Sequence, residues 1–153
     1  MNAQSRLREL GLSLPAMPPP TANFRRHKLV GNLLFLSGQG ARGANGALLV
    51  GKVGSDITLE EGYRRARLIG LGLISAACDA LGRLDRVEEV VKVLGMVNAA
   101  PMFEDHPKVI DGCSDLFVEV FGENGRHARS AVGMGTLPSN ISVEIEAIFA
   151  VKT

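Results

Sequence analysis

The most constraining feature of the sequence is a helical pattern that begins at Thr58 and ends at Gly82. Thr58 can accept a hydrogen bond from the backbone at Glu61, and the Glu61 side chain can reach back to complete a capping box. Gly82 is a typical stop signal. The apolar positions between these ends recur at helical spacing: Ala66, Ile69, Gly70, Leu73, Ala77 and Leu81. Because this helix is long and apolar on more than one side, we expect it to pack against a sheet.

Shorter patterns on both sides of this helix predict the strands of that sheet and a second helix. The predicted elements are two strands within 23–37 around a turn at Gly31-Asn32, strands over 47–53 and 90–97, a helix from about 103–107 to Gly122, and strands over 128–134 and 141–151 joined by a turn at 138–140. The element order is therefore β-β-β-α-β-α-β-β. It predicts an α+β fold, with one mixed sheet covered on one face by two helices.

The first 22 residues differ from the rest of the chain. Residues 3–11 predict a short helix that Gly11 stops. Prolines at 15 and 18–20 then predict an extended connector, because proline fixes φ and lacks an N–H donor. We therefore predict an N-terminal lead-in over 1–22 and a single domain over 23–153.

The last predicted strand indicates which residues face the helices. Side chains alternate between the two faces of a strand. One face carries Val143, Ile145, Ala147 and Phe149, and the other carries Ser142, Glu144 and Glu146. The apolar face is expected to meet the helices. The opposite face is expected to meet either solvent or another subunit.

The charge balance argues against nucleic acid and membrane as partners. Seventeen basic and 16 acidic side chains give a net charge of +1, which provides no broad basic surface. Residues 25–28 are basic, but a solvated strand face is the favoured interpretation. The N-terminus lacks the apolar run of about 7–15 residues of a secretory signal, and no stretch approaches the roughly 20 apolar residues of a membrane span. A cytoplasmic protein is expected.

Metal and cofactor sites are not predicted. Cys78 and Cys113 are interpreted as two buried thiols in a reducing compartment, and the three histidines lack the paired spacing of metal ligands. Residues 38–43 match the letters of a dinucleotide-binding fingerprint. That motif must open directly onto a helix, whereas here further glycines and a predicted strand intervene before Thr58. No serine is visibly paired with a histidine and an aspartate.

Arg129 is the most suggestive single residue, because it lies within a short and otherwise apolar strand. An arginine there must reach solvent or meet an anion, since burying it unpaired is costly. Its planar guanidinium suits a small carboxylate through two parallel hydrogen bonds. An internal ion pair to Glu144 or Glu146, across a hairpin of the last two strands, is an equally good interpretation.

Four segments in the same order resemble the RidA/YjgF family, also known as reactive-intermediate imine/enamine deaminases or endoribonuclease L-PSP. The matching segments are Gly31–Gln39, Arg129-Ser130, Leu137-Pro138 and Val143–Ile148. Together they are far more specific than any one alone. The resemblance begins near Asn23 and covers almost the whole chain after it.

The resemblance implies a chorismate-mutase-like fold of the bacillus type, assembled as a homotrimer with active sites in the clefts between subunits. The implied reaction is hydrolysis of small 2-imino or enamine acids to 2-oxo acids and ammonia, without cofactor or metal. By resemblance Arg129 holds the substrate carboxylate, and Glu144 positions the attacking water. The implied substrate-binding residues are Phe24, Ser37, Gly38, Arg129 and Ser130.

Three positions depart from better-known members and mark a divergent branch. Phe24 stands where a tyrosine is usual, Ala131 where a cysteine is common, and Asp111 near where an asparagine often faces the cleft. Two other functions remain open. One is a non-catalytic protein that binds or senses a small carboxylate such as a 2-oxo acid. The other is RNA cleavage, which the sequence favours less because its basic residues are scattered and no histidine pair is evident.

Overall fold

The computed structural model describes residues 2–153, which contain three helices and five strands. The helices are α1 (Ala3–Glu9), α2 (Leu59–Leu81) and α3 (His106–Phe121), and the strands are β1 (His27–Val30), β2 (Leu33–Gly40), β3 (Val87–Asn98), β4 (Ala128–Met134) and β5 (Val143–Val151). Short 3-10 turns lie at Leu84–Arg86, Gly122–Gly125 and Pro138–Asn140. None of the helices in this part of the chain is long and apolar enough to cross a membrane.

The strands form one mixed sheet in the order β1-β2-β5-β3-β4, in which β3 and β4 are parallel and the other pairs are antiparallel. Helices α2 and α3 cover one face, and the predicted α+β architecture is confirmed. The apolar face predicted for the last strand is also confirmed, because Val143, Ile145, Ala147 and Phe149 all lie in the core. The opposite face of the sheet carries no helix of residues 2–153 and is called the open face below.

The ends of α2 lie where the sequence predicts them. Thr58 accepts a hydrogen bond from the Glu61 backbone N–H at 3.1 Å, and Gly82 adopts a left-handed φ of 80° after the last turn. The reciprocal half of the capping box is absent from this N-terminus, because the Glu61 carboxylate instead accepts hydrogen bonds from Arg64 and Arg65. The two arginines also lower the pKa of Glu61.

The predicted strand over 47–53 is wrong. This segment forms only isolated bridges, and its backbone bonds to several different partners, including Ala41, Asn98 and Asn140. Gly51 and Gly54 adopt φ values of 112° and 96°, which interrupt an extended ladder. The segment is an irregular loop in which Val53 lies in the core, Leu49 packs against the core and Val50 is exposed.

The predicted hairpin of the last two strands is also wrong. β5 lies between β2 and β3, and β4 pairs in parallel with β3 at the outer edge of the sheet. The β3–α3–β4 connection is a crossover, which is the connection that parallel neighbours require. The more apolar β5 takes the central position, while β4, with Arg129, Ser130 and Gly133, lies at the less buried edge.

The N-terminal segment packs closely on the helices. Leu7 of α1 is buried in the core, and the Arg6 Nε donates to the Glu119 carbonyl of α3 at 3.1 Å. Further along, the Ser75 hydroxyl of α2 donates to the Pro15 carbonyl at 2.5 Å. The boundary at residue 22 stays a prediction. Both cysteines are free thiols, as expected, although only Cys113 is fully buried and Cys78 is partly exposed.

Helices α2 and α3 approach each other most closely at Gly112. A Cβ at this position would overlap the Tyr63 carbonyl of α2, which is backbone and cannot rotate away. We therefore predict that Gly112→Ala lowers the free energy of unfolding by about 3 kcal/mol, the upper part of the range for overpacked cores. Urea denaturation followed by circular dichroism measures this loss.

Gly135→Ala is the matched control, since no atom of residues 2–153 lies within 4 Å of a Cβ built at Gly135. It should change the stability by no more than about 0.5 kcal/mol. Equal urea midpoints for the two variants would contradict the close helix packing.

Candidate functional site

Arg129 lies on the helix-covered face of β4, opposite α3. Its register partner in β3 is Val93, a core residue, and its Nη1 donates to the Asp111 carboxylate at 2.8 Å and to the Ser114 hydroxyl at 3.1 Å. The predicted ion pair to Glu144 or Glu146 is wrong, because β3 separates β4 from β5 and those glutamates point to the open face. The anionic partner of Arg129 is therefore Asp111 on α3.

Ser114 and His127 extend this arrangement. The His127 Nδ1 lies 2.7 Å from the Gly125 carbonyl, which can only accept, so Nδ1 carries the proton. Nε2 then accepts from the Ser114 hydroxyl at 2.9 Å, while the Ser114 oxygen accepts from Arg129. Burial, and secondarily the Arg129 charge, lowers the pKa of His127, so its imidazole is neutral at pH 7.

The sequence did not predict this serine–histidine pair, because no motif in it places a serine beside a histidine. The two residues belong to different elements, and the turn at Gly122–Gly125 brings them together. One signal was available: Asp111 and Ser114 are three residues apart on a helix and therefore share a face. The histidine stands two residues before Arg129. No aspartate contacts His127 among the described residues, so the arrangement is not a complete triad.

The surroundings of Arg129 are acidic. A shallow depression of about 550 Å³ is lined by three carboxylates and two arginines together with Ser114, Val118 and His127. The charged residues are Asp111, Asp115, Glu119, Arg126 and Arg129. Arg129 itself is about one quarter exposed, and Asp111 is 44% exposed. The guanidinium is therefore held, partly accessible, against a carboxylate of its own chain.

Phe24, Ser37 and Gly38 line a different cavity of about 420 Å³ between β2, α2 and the proline-rich segment. Ser37 and Gly38 lie at an irregularity in the β2–β5 register, between Leu36 and Gln39. The Ser37 hydroxyl donates to the Arg25 carbonyl at 2.5 Å, so toward a ligand it can only accept. Phe24 is 54% exposed at the mouth of this cavity.

Glu144 lies beside Gly38 on the open face of the sheet. A Cβ at Gly38 would come within 2.6 Å of the Glu144 carboxylate, so a side chain there would displace the Glu144 carboxylate from its present position. Burial, and secondarily repulsion from Glu146, raises the pKa of Glu144. A carboxyl with a raised pKa exchanges protons more readily near neutral pH than an ordinary glutamate.

The predicted site residues thus fall into two sets. Phe24, Ser37, Gly38 and Glu144 lie around β2 and its neighbour β5. Arg129 lies at the far edge of the sheet on the other face, and Ser130 points to the open face in register with Leu94. Within one chain the structure does not bring Arg129 together with Glu144.

The chain is similar to known proteins along nearly its whole length. Residues 4–151 match the family model described as "YjgF/chorismate mutase-like, putative endoribonuclease". The chain belongs to the RidA/YjgF family. Its chorismate-mutase-like fold, expected from the resemblance, is thereby confirmed.

Two relatives and one solved structure illustrate the range of similarity. Protein TCP17 of Trypanosoma cruzi is 41% identical, over 93% of this chain and 89% of that protein. A 2-iminobutanoate/2-iminopropanoate deaminase of Dermatophagoides farinae is 28% identical, over 92% and 95% of the two chains. The crystal structure of Atu1372 from Agrobacterium tumefaciens, a protein of unknown function, superposes with a TM-score of 0.90 at 40% identity, covering 99% of this chain and 94% of that one.

The hydrogen bonds of His127 predict its protonation state. We expect the neutral imidazole to carry its proton on Nδ1 and to titrate below the ordinary pKa of 6.5, because burial disfavours the charged ring. Long-range ¹H–¹⁵N NMR correlations across a pH titration measure both properties. Ser114→Ala should keep the Nδ1 tautomer, since the Gly125 carbonyl remains. An Nε2-protonated ring in the wild type would contradict the proposed hydrogen-bond directions.

Proposed function

We propose that the protein hydrolyses small 2-imino or enamine acids to 2-oxo acids and ammonia, in clefts between the subunits of a homotrimer. One observation carries the intersubunit part of the proposal. Arg129 and Glu144, the residues expected to hold the carboxylate and the water, lie on opposite faces of one sheet. A substrate a few atoms long therefore reaches both residues where two copies of the chain meet.

The open face of the sheet supports an assembly of this kind. It exposes apolar side chains, with Phe35 40% and Val132 39% exposed, and Ile148 lies on the same face of β5. Exposed apolar side chains grouped on one face are typical of surfaces buried in oligomers. Burying this face would bring copies together around β2, β5 and β4, the strands that carry the two sets of site residues.

In the proposed complex, Arg129 binds the substrate carboxylate through charge-assisted hydrogen bonds. The carboxylate takes the place of Asp111 or shares the guanidinium with it. Ser114 holds the guanidinium in position, since its oxygen accepts a hydrogen bond from an Arg129 N–H. The neutral His127 orients Ser114 by accepting a hydrogen bond from its hydroxyl. Asp111 then stands close to the bound substrate and favours a cationic group, such as a protonated imine nitrogen.

Glu144 acts on water in this proposal. Its carboxylate removes a proton as the water oxygen bonds to the imine carbon and the C=N electron pair moves to nitrogen. Glu144 then gives this proton to the nitrogen of the carbinolamine and the C–N bond breaks. Ammonia leaves as the carbonyl forms, and the carbinol hydroxyl returns its proton to Glu144, which releases it to water. The imine carbon is already electrophilic, so positioning and modest general-base help supply the catalysis. The likeness to an imine deaminase supports this reaction.

A second function, binding a small carboxylate without turnover, is favoured by a specific feature. Phe24 lacks the hydroxyl with which a tyrosine would donate a hydrogen bond to a reacting substrate. A protein of this second kind would bind pyruvate or 2-oxobutyrate and leave imines unchanged.

Removing the proposed carboxylate anchor tests the reaction. We expect Arg129→Ala to lower kcat/KM for iminopropionate by about 100-fold, the loss of a charge-assisted pair. A serine dehydratase generates the imine in place, and its decay is followed directly. Arg126→Ala is the matched control, because Arg126 lines the same depression but is 70% exposed and paired with Glu123.

Two results would overturn the enzymatic proposal. One is decay that wild-type protein accelerates no more than Arg129→Ala does. The other is tight binding of pyruvate by calorimetry in a wild type without turnover, which supports the binding function instead.

The raised pKa of Glu144 predicts the acidic limb of the pH profile. A general base must be ionised, so activity is present above its pKa and falls as pH drops through it, at a higher pH than the ordinary 4.5 of a glutamate. Glu146→Gln removes the repulsion and should move this limb to lower pH. The pH dependence of kcat/KM in both proteins provides the measurement, and an unmoved or upward-shifted limb would argue against Glu144 as the base.

A further inference from the structure

The cavity beside Ser37 and Gly38 contains cationic residues that the proposed reaction on a small imino acid does not use. Arg26 and Arg42 both line it, and none of its lining residues is acidic. Neither arginine has a carboxylate within 4.0 Å among residues 2–153. The cavity therefore has an uncompensated positive charge.

This lack of a partner distinguishes the two residues from most other arginines of the chain. Seven arginines form ion pairs within the described part of the chain: Arg6, Arg64, Arg65, Arg67, Arg83, Arg126 and Arg129. Arg42 donates one N–H to the Gly46 carbonyl at 2.8 Å, which fixes the loop end and leaves its other donors free. Free guanidinium donors in a cavity are suited to a carboxylate or phosphate.

The charge of this cavity differs in sign from that of the Arg129 depression. That depression holds three carboxylates against two arginines, whereas this cavity holds two arginines and no carboxylate. An anion gains more from entering the second environment than the first. A ligand with only one carboxylate, fixed at Arg129, would leave these two arginines without an anion.

The size and lining of the cavity exclude a close fit to a three-carbon acid. Its volume of about 420 Å³ lies within the range of roughly 300–1,000 Å³ that holds much larger ligands. Met17, Leu48, Leu68 and Leu71 supply an apolar wall of the same cavity. A ligand that carries both an anionic group and a hydrocarbon chain matches this combination of charged and apolar lining residues.

We propose that the preferred substrate is a dianionic 2-imino acid, whose second carboxylate binds Arg26 and Arg42 while its first binds Arg129 of the neighbouring copy. This inference rests on the proposed function for the intersubunit cleft and adds the substrate class. The hydrocarbon chain of the ligand lies along the apolar wall, and the imine carbon lies near Ser37, Gly38 and Glu144. Arg26 and Arg42 are thus specificity-determining residues.

Calorimetry with stable 2-oxo acids tests the substrate class without requiring turnover. We expect 2-oxoglutarate, a dianion, to bind the wild type at least about tenfold more tightly than 2-oxobutyrate, a monoanion, since one charge-assisted contact accounts for a factor of this size. The double variant Arg26→Gln with Arg42→Gln should bind both acids within about twofold of each other. Arg129→Ala should weaken both.

Arg8→Gln is the matched control, because Arg8 on α1 also lacks a carboxylate partner but lies outside the cavity. It should leave the tenfold preference intact. A circular dichroism spectrum and a melting temperature unchanged from the wild type show that each variant is folded before its affinities are compared.

The outcomes separate this inference from the proposed function. Equal wild-type affinities for the two acids, or a preference that survives in the double variant, would overturn the dianionic assignment while imine hydrolysis could still be observed. A 2-oxoglutarate affinity unaffected by Arg129→Ala would overturn the claim that one ligand spans both arginine positions. Absence of any accelerated imine decay would instead defeat the proposed reaction, whatever the affinities.

Discussion

The position of β5 between β2 and β3 is the constraint on which the rest of the site depends. Because β5 is paired on both sides, its side chains alternate between the helix-covered core and the open face, and Glu144 must lie on the open face. The same insertion moves β4 to the edge, where its parallel pairing with β3 directs Arg129 toward α3. The separation of Arg129 from Glu144 within one chain therefore follows from the strand order. A change of side-chain rotamer does not bring them together.

The electrostatics of the two sets of residues follow from the elements that carry them. α3 presents carboxylates to Arg129, which holds the guanidinium in a defined orientation and makes the depression acidic. The β2 side presents Arg26 and Arg42 without acidic neighbours. Opposite charges on surfaces that meet favour association and fix its register. In the proposed trimer, the same charges also orient the substrate, because its anionic ends are drawn to the arginines and its cationic nitrogen to Asp111.

Much of this fold could be predicted from the sequence, because its strongest signals are local. Thr58 and Gly82 define α2 without reference to any other element, and the alternation from Val143 to Phe149 defines which face of β5 is buried. The pairing of the last two strands could not be predicted in this way. Strands that are neighbours in sequence usually pair. No residue within 128–151 indicates that β4 and β5 both pair with β3 instead of with each other. The strand prediction for 47–53 was wrong for a related reason. Val53 is buried in the core without a regular ladder, because Gly51 and Gly54 adopt positive φ values.

The candidate site was predictable only in part. The residues came from the resemblance and from the chemistry of an arginine in an apolar strand, which predicts that Arg129 either reaches solvent or meets an anion. The identity of that anion depended on the crossover that places Asp111 and Ser114 of α3 over β4. The sequence alone does not indicate that Arg26 and Arg42 form an anion site, since a basic stretch is most often a solvated face. The fold is needed to show that both line one cavity.

In the proposed trimer each site takes Arg129 and Glu144 from different copies of the chain, and subunit mixing tests this arrangement most directly. Arg129→Ala and Glu144→Gln are each expected to be inactive as homo-oligomers. Unfolded together in equal amounts and refolded, they should regain about one quarter of wild-type activity, because random assembly restores both residues in one cleft in four. A mixture as inactive as its two components, although it forms mixed oligomers, would contradict this intersubunit arrangement and place both residues in a site within one chain.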